Sequence, residues 1–301
     1  MDIHPIAADK REAVLAALRE IEQQHEVRIL LACESGSRGW GVLAALREIE
    51  QQHEVRILLA CESGSRGWGF SSPDSDYDAR FVYVHRRDWY LTVNESTGPG
   101  EPQRDVIELP ISDDLDVSGW DLRKALRLVS KSNPTLLEWL HSPVVYRQDP
   151  VAVEQLRAIA THFYSPLGTW WHYFNMAKSN YRGYLRGERI RTKKYLYVLR
   201  PILACQWIER RQDMPPMAFE LLLDELLPSG DLREEIERLL ALKRISTEVE
   251  DGPRIAVISD FIEAELDRMG TAQPQLPAGS GRSDALDTLF RQMLSNDAAS
   301  P

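Results

Sequence analysis

Asp76 and Asp78 stand one residue apart at the end of the run ESGSRGWGFSSPDSDYD, residues 62–78, a short loop after Gly64 and Ser65. On an extended strand their carboxylates point to one face, because side chains there repeat every second residue. Two like charges held that close repel, and a divalent cation between them relieves the repulsion. Gly64 has no Cβ to keep a phosphate oxygen off the backbone, and the adjacent N–H groups and the Ser65 hydroxyl are donors. The set suits a nucleoside triphosphate with its Mg2+ ions and a transfer reaction at phosphorus. Positioning and charge neutralisation lower most of the barrier in such reactions. A calcium loop starting at Asp74 does not fit: Ala79 stands where such a loop needs glycine, and His85 where it needs glutamate.

Other residues could hold an anion. Arg66, two positions beyond Gly64, either contacts the triphosphate or pairs with Glu62, and Trp68 either packs or stacks on a base. Residues 178–200, KSNYRGYLRGERIRTKKYLYVLR, concentrate Lys and Arg against the single acid Glu188. A run of this kind is commonly a solvated helix face. Here Tyr181, Tyr184, Tyr195 and Tyr197 interleave with the charges, a mixture that suits phosphates and bases. Lys193, Lys194 and Arg200 are the candidate anion contacts, Arg as a bidentate partner and Lys as a point charge.

The elements that must position these groups follow from periodicity. Residues 14–41 recur verbatim as residues 42–69. Each copy reads as a helix (Val14 to Gln24, Val42 to Gln52) followed by an apolar strand (Val27 to Cys33, Val55 to Cys61). Repeat architectures usually diverge between copies and need at least three units to close a core, so two identical copies read as a recent tandem duplication or an artefact of sequence assembly. Only the second copy runs on into the aspartate pair. Gly64 and Ser65 are therefore expected to function, and Gly36 and Ser37 to be a stranded duplicate. Tyr77 to His85 alternates as a strand. A further extended stretch spans Asp105 to Pro110 and reaches toward Val117. A helix is expected from near Gly119-Trp120 through Lys131, then TLLEWLH as a helix and Val144 to Arg147 as a short strand. From Pro150 the pattern is helical nearly throughout, with Pro201 kinking one helix.

Composition narrows the class. The chain has 301 residues, 43% of them hydrophobic, which is ample for a core. No apolar stretch approaches the roughly 18 residues needed to span a bilayer, and the first residues lack a secretory layout, so a cytoplasmic protein without membrane attachment is expected. Three cysteines, two of them the duplicated Cys33 and Cys61, make no disulfide framework or metal pair. A net charge of −10 argues against broad nonspecific nucleic-acid binding.

The run ESGSRGWGFSSPDSDYDARFVYV resembles the DNA polymerase β-like nucleotidyltransferase superfamily, with its helix, strand ending in Gly-Ser, and D-x-D on the next strand. Together with SGWDLRKAL, KSNPTLLEWLHSPVVY and KKYLYVLRP it resembles, over about residues 42–210, the bacterial nucleotidyltransferase family associated with RNA repair pathways. The duplication departs from that pattern. The resemblance implies an α/β (α+β) chain: a small mixed-sheet nucleotidyltransferase domain (residues 1–148), an all-α domain closing the nucleotide cleft (149–270), and a flexible tail (271–301). It implies two Mg2+ ions held by Asp76, Asp78 and a third carboxylate on a neighbouring strand. Asp116 suits that role; Asp121, Asp113, Asp114 and Glu108 are its rivals, and Ser118-x-x-Asp121 also reads as a helix cap. It also implies transfer of a nucleoside monophosphate from an NTP to an acceptor hydroxyl, with an RNA end as the acceptor. A small molecule or protein acceptor, or a disabled nucleotide-binding protein, are the alternatives.

Overall fold

The computed structural model describes residues 37–91, 105–109, 115–187, 189–245, 251–272, 274–279, 281 and 283–296. The expected elements Val14 to Gln24 and Val27 to Cys33, along with Gly36, Asp113 and Asp114, lie outside them. The chain divides into two compact units, Met1–Gly41 and Val42–Pro301. The described elements belong to the second, apart from the first residues of helix α1 (Ser37–His53). That helix starts earlier than the sequence pattern suggests and takes in Ser37.

Five strands form one mixed sheet: β1 (Val55–Glu62), β2 (Tyr77–His85), β3 (Val106–Glu108), β4 (Leu115–Asp121) and β5 (Val145–Gln148). Their spatial order is β3-β4-β2-β1-β5. The β2 and β4 strands run parallel, and the other neighbours are antiparallel. Strand β4 extends through Gly119 and Trp120, where a helix is expected from the sequence. Gly119 explains the difference, because a Cβ there would lie 2.1 Å from the Phe81 ring across the parallel pair. The residue serves close strand packing rather than helix entry.

Both faces of the sheet are covered. Val42, Leu46 and Ile49 form one stripe of α1 and pack on Ala79, Phe81, Tyr83 and Val117. The opposite face, with Leu58, Val82 and Val84, meets helices α4 (Leu122–Ser130), α5 (Pro134–Leu140) and α6 (Pro150–Phe163). Two short helices, α2 (Gly64–Gly67) and α3 (Arg87–Tyr90), lie in the connections. Asp121, Asn133 and Asp149 each accept a backbone N–H at the start of α4, α5 and α6.

The second half packs around its own core: α7 (Pro166–Tyr184), α8 (Lys194–Arg211), α9 (Phe219–Leu226), α10 (Asp231–Ile245) and α11 (Ala256–Thr271). A two-stranded ribbon, β6 (Arg189–Arg191) with β7 (Asp251–Pro253), stands within a half that is otherwise helical, as expected nearly throughout. Helix α8 runs on through Pro201, which has no N–H for the Tyr197 carbonyl four residues back. The Asn180 amide donates to that carbonyl at 2.9 Å instead. Within the expected tail, the sequence also reads as a short amphipathic helix over Ala285 to Leu294, and a helix stands there, α12 (Ser283–Asn296). Leu286, Leu289 and Met293 recur on one helix face and join the core under the sheet, where α12 contacts α4 and α6. Among the described residues no helix is long and apolar enough to cross a membrane.

Candidate active site

The parallel register sets Asp78 directly opposite Asp116. Both residues share a sheet face with Arg80, Ser118 and Val82, since alternate residues on paired strands point the same way. Arg80 stands between the acids: one terminal nitrogen lies 3.1 Å from Asp78 Oδ1 and 2.7 Å from Asp116 Oδ2. Its other terminal nitrogen donates to the Asp116 carbonyl at 2.9 Å. The two carboxylates are thus close enough to share one cation. Burial raises the Asp78 carboxyl above the ordinary range, Arg80 opposes this, and Asp116 and Asp76 add to it. Asp76, exposed just ahead of β2, is therefore within electrostatic reach of the pair.

Asp121 lies elsewhere. Five residues beyond Asp116, it has the opposite strand parity and sits across from Tyr83. Its Oδ1 caps α4 through the Arg123 N–H at 2.8 Å, and its Oδ2 accepts the Tyr90 hydroxyl at 2.6 Å. It is the N-cap residue itself rather than the first-turn acid of a Ser118 capping box. Glu108 is exposed and faces the Ser118 hydroxyl at 3.3 Å.

The Gly-Ser turn abuts the same carboxylate. Gly64 has φ +55°, and a Cβ on it would lie 1.9 Å from Asp78 Oδ2, so only glycine fits. The Ser63 N–H donates to the Asp78 carbonyl at 2.9 Å. The Asp78 N–H in turn donates to the buried Glu62 carboxylate at 2.8 Å, and the Tyr146 hydroxyl donates to the other Glu62 oxygen. Burial raises the Glu62 carboxyl, and these two donors act against that shift. Arg66 spans the loop: its guanidinium donates to the carbonyls of Ser75 (2.7 Å) and Asp76 (3.2 Å) and lies 4.0 Å from the Tyr77 ring centroid. It clamps the segment carrying the aspartates and pairs with no Glu62 oxygen.

Ser65 is buried, its carbonyl accepts the Phe70 N–H at 3.0 Å, and Phe70 packs edge-on to Tyr197 of α8. Lys193 precedes α8 and Lys194 opens it; the Lys194 ammonium lies 4.3 Å from the Tyr184 ring and 4.7 Å from the Tyr197 ring. Burial lowers the Lys194 pKa, and Lys193 and Arg191 lower it further.

Arg200 does not join them. Only 1% exposed, it pairs with Glu138 at 2.9 Å and points toward the Met217 carbonyl. The same Glu138 accepts the Tyr173 hydroxyl at 2.6 Å and the Trp68 indole at 3.2 Å. Trp68 lies over the Arg200 guanidinium, 4.6 Å from its ring, and packs rather than presenting a face for a base. The expectation that Arg200 contacts an anion is corrected by this burial, because its donors are spent inside the protein.

Sequence reasoning missed Glu62, Tyr146 and Arg80. The Arg80 signal was available: it continues the alternation of Asp76 and Asp78 by one further step. Glu62 gave a weaker one, as an acid closing an apolar strand.

A hard divalent cation is compatible with this donor set, since two half-buried carboxylates already converge on one positive group and a third is nearby. Among the described residues, however, no group of three or more His, Cys, Asp or Glu side chains is drawn together in metal-holding geometry. Arg80 occupies the space between two of the carboxylates.

Comparison with known proteins agrees with the fold. The model of the RNA repair pathway DNA polymerase beta family (RlaP) matches residues 10–45 and again residues 42–292, the two matches meeting at the verbatim repeat. YcgL, an uncharacterized protein of Bacillus subtilis (strain 168), is 48% identical over 284 residues, which cover 94% of this chain and 95% of that relative. A match across most of the chain, on a mixed sheet that pairs a Gly-Ser turn with a D-x-D strand, leads to one assignment: the chain belongs to the RNA repair pathway DNA polymerase beta family.

Proposed function

We propose that this chain is a nucleotidyltransferase that moves a nucleoside monophosphate from an NTP to an acceptor hydroxyl, with an RNA end as the acceptor. The observation that carries the reading is the shared cation of Asp78 and Asp116, with the Gly64 turn pressed against the same Asp78 carboxylate. The family description, which names RNA repair, supports the acceptor class.

In this reading the sheet half, to about residue 148, carries the acids, and the helical half carries the lysines. Asp76, Asp78 and Asp116 would hold two Mg2+ ions, which when bound supply charge neutralisation at the α-phosphate and the departing pyrophosphate. Arg66 and Glu62 fix the backbone on either side of the aspartates. Gly64 and Ser65 receive the distal phosphates together with Lys193 and Lys194. Asp116 takes the proton from the acceptor hydroxyl as its oxygen bonds to the α-phosphorus and the bond to the pyrophosphate oxygen breaks.

The test is incubation with each labelled NTP, Mg2+ and an RNA pool. Label on RNA is expected, reduced at least about a hundredfold in Asp78→Asn and Asp116→Asn through lost charge stabilisation, and retained in Asp121→Asn. Label on a small molecule or on protein would move the acceptor to that class. Binding without transfer to any acceptor would leave a nucleotide-binding protein and refute the enzymatic reading.

A further inference from the structure

The apolar stripe of α10 contains a lysine. Ile236, Leu239 and Leu240 are buried along one face, and Lys243, at the next position of that stripe, is only 2% exposed. Its ammonium lies 4.5 Å from the Phe70 ring centroid and 5.2 Å from that of Tyr197. Lys194 approaches the same Tyr197 ring at 4.7 Å, so two cations share one aromatic side chain. The Phe70 N–H donates to the Ser65 carbonyl at 3.0 Å, and Tyr197 feels the charges of Asp78 and Asp76. Lys243 is thus linked through one side chain to the turn beside the carboxylates.

Charge makes the arrangement costly as it stands. Among the described residues, none of Lys193, Lys194 and Lys243 has a carboxylate within ion-pair distance. Burial and the neighbouring Lys193 and Lys194 lower the Lys243 pKa to about 8, and Asp74 acts more weakly in the opposite direction. Attraction to the two rings offsets only part of the cost of burying an unpaired ammonium. A polyanion close to all three lysines would remove both penalties.

We propose that Lys243 is a phosphate-binding residue that completes, with Lys193 and Lys194, a three-lysine receptor for the terminal phosphates of a nucleoside triphosphate. This rests on the nucleotidyltransferase reading and adds to it a requirement for the polyphosphate tail. The receptor selects triphosphates over monophosphates, because several clustered positive charges match a polyphosphate tail better than a single phosphate. Methionine matches the lysine stem in length and fills the space between Phe70 and Tyr197 without charge.

The experiment is calorimetric titration of the full chain with ATP, AMP and inorganic tripolyphosphate, for wild type, Lys243→Met and Lys243→Arg. Wild type is expected to bind ATP and tripolyphosphate. Lys243→Met is expected to lose at least about tenfold in affinity for both, the scale of one charge-assisted contact, with AMP affinity unchanged. Its melting temperature should stay level or rise, and Lys243→Arg should recover part of the affinity. Equal ATP and tripolyphosphate affinity in folded Lys243→Met would overturn the proposal alone. A wild-type chain that binds neither would overturn it together with the nucleotide reading beneath it.

Discussion

Substituting Gly64 by alanine tests the site at its tightest point. The added Cβ would begin 1.9 Å from Asp78 Oδ2, whereas real Cβ contacts essentially never fall under 3.0 Å. The Asp78 carboxylate must therefore retreat by about an ångström, the displacement that costs roughly a hundredfold in rate when a reacting constellation is disturbed. Its retreat cannot be free, because Oδ1 is held by Arg80 at 3.1 Å and the backbone N–H by Glu62 at 2.8 Å. A second cost comes from φ +55°, which charges a residue with a Cβ about 1–2 kcal/mol. The expected result is a melting temperature lowered by several degrees and Mg2+-dependent label transfer from NTP lowered about a hundredfold. Gly183→Ala is the control, since a Cβ there meets nothing within 4 Å. Wild-type transfer and Mg2+ affinity in Gly64→Ala, at an unchanged melting temperature, would refute the close approach of turn and carboxylate.

Arg200→Met should destabilise the chain by about 3–5 kcal/mol by stranding the buried Glu138 carboxylate; urea unfolding measures it, and Glu138→Gln in the same background should recover part of the loss. ATP affinity of the folded Arg200→Met protein should not change, and a selective loss of that affinity would return Arg200 to the anion site. Burial pushes the Asp121 carboxyl up to about 6, so the native state holds its proton more tightly than the unfolded chain does. The associated stability is present below the unfolded value near 4 and is lost as pH rises to 6, a penalty of about 3 kcal/mol. Stability of Asp121→Asn relative to wild type should therefore rise by that amount across the window, and a flat difference in urea midpoints would contradict it.

Much of this architecture was legible because strong periodicities coincide with unambiguous punctuation. The alternation of Tyr77 to His85 and the helical stripes after Pro150 give one solution each. Gly119-Trp120 did not: a glycine before LRKALRLVSK looks like helix entry, and only the Phe81 ring across the parallel pair explains a strand there. The docking of the helix expected over Ala285 to Leu294 was hidden for a related reason. Leu286, Leu289 and Met293 have helical spacing, but their partners on α4 and α6 are more than a hundred residues away in sequence. Within the site, Asp116 and Asp121 are separated by parity once β4 is known to continue to Asp121, a fact the local pattern hides. The surroundings of Arg200 and Lys243 were equally hidden from the local pattern. An arginine in a basic run proved internal because Glu138, Trp68 and Tyr173 enclose it, and a lysine on an apolar stripe gave no local sign of the charges beside it.

Phe70 leaves the Gly-Ser turn and ends wholly inside the core of the helical half, edge-on to Phe219 and Tyr197. The Phe219 N–H donates to the Trp68 carbonyl at 2.9 Å, a second rivet a few residues away. Loop and helices are consequently fused here into one jaw. Any hinging of these helices would drag the Gly64 turn, and with it the neighbour of the Asp78 carboxylate, along.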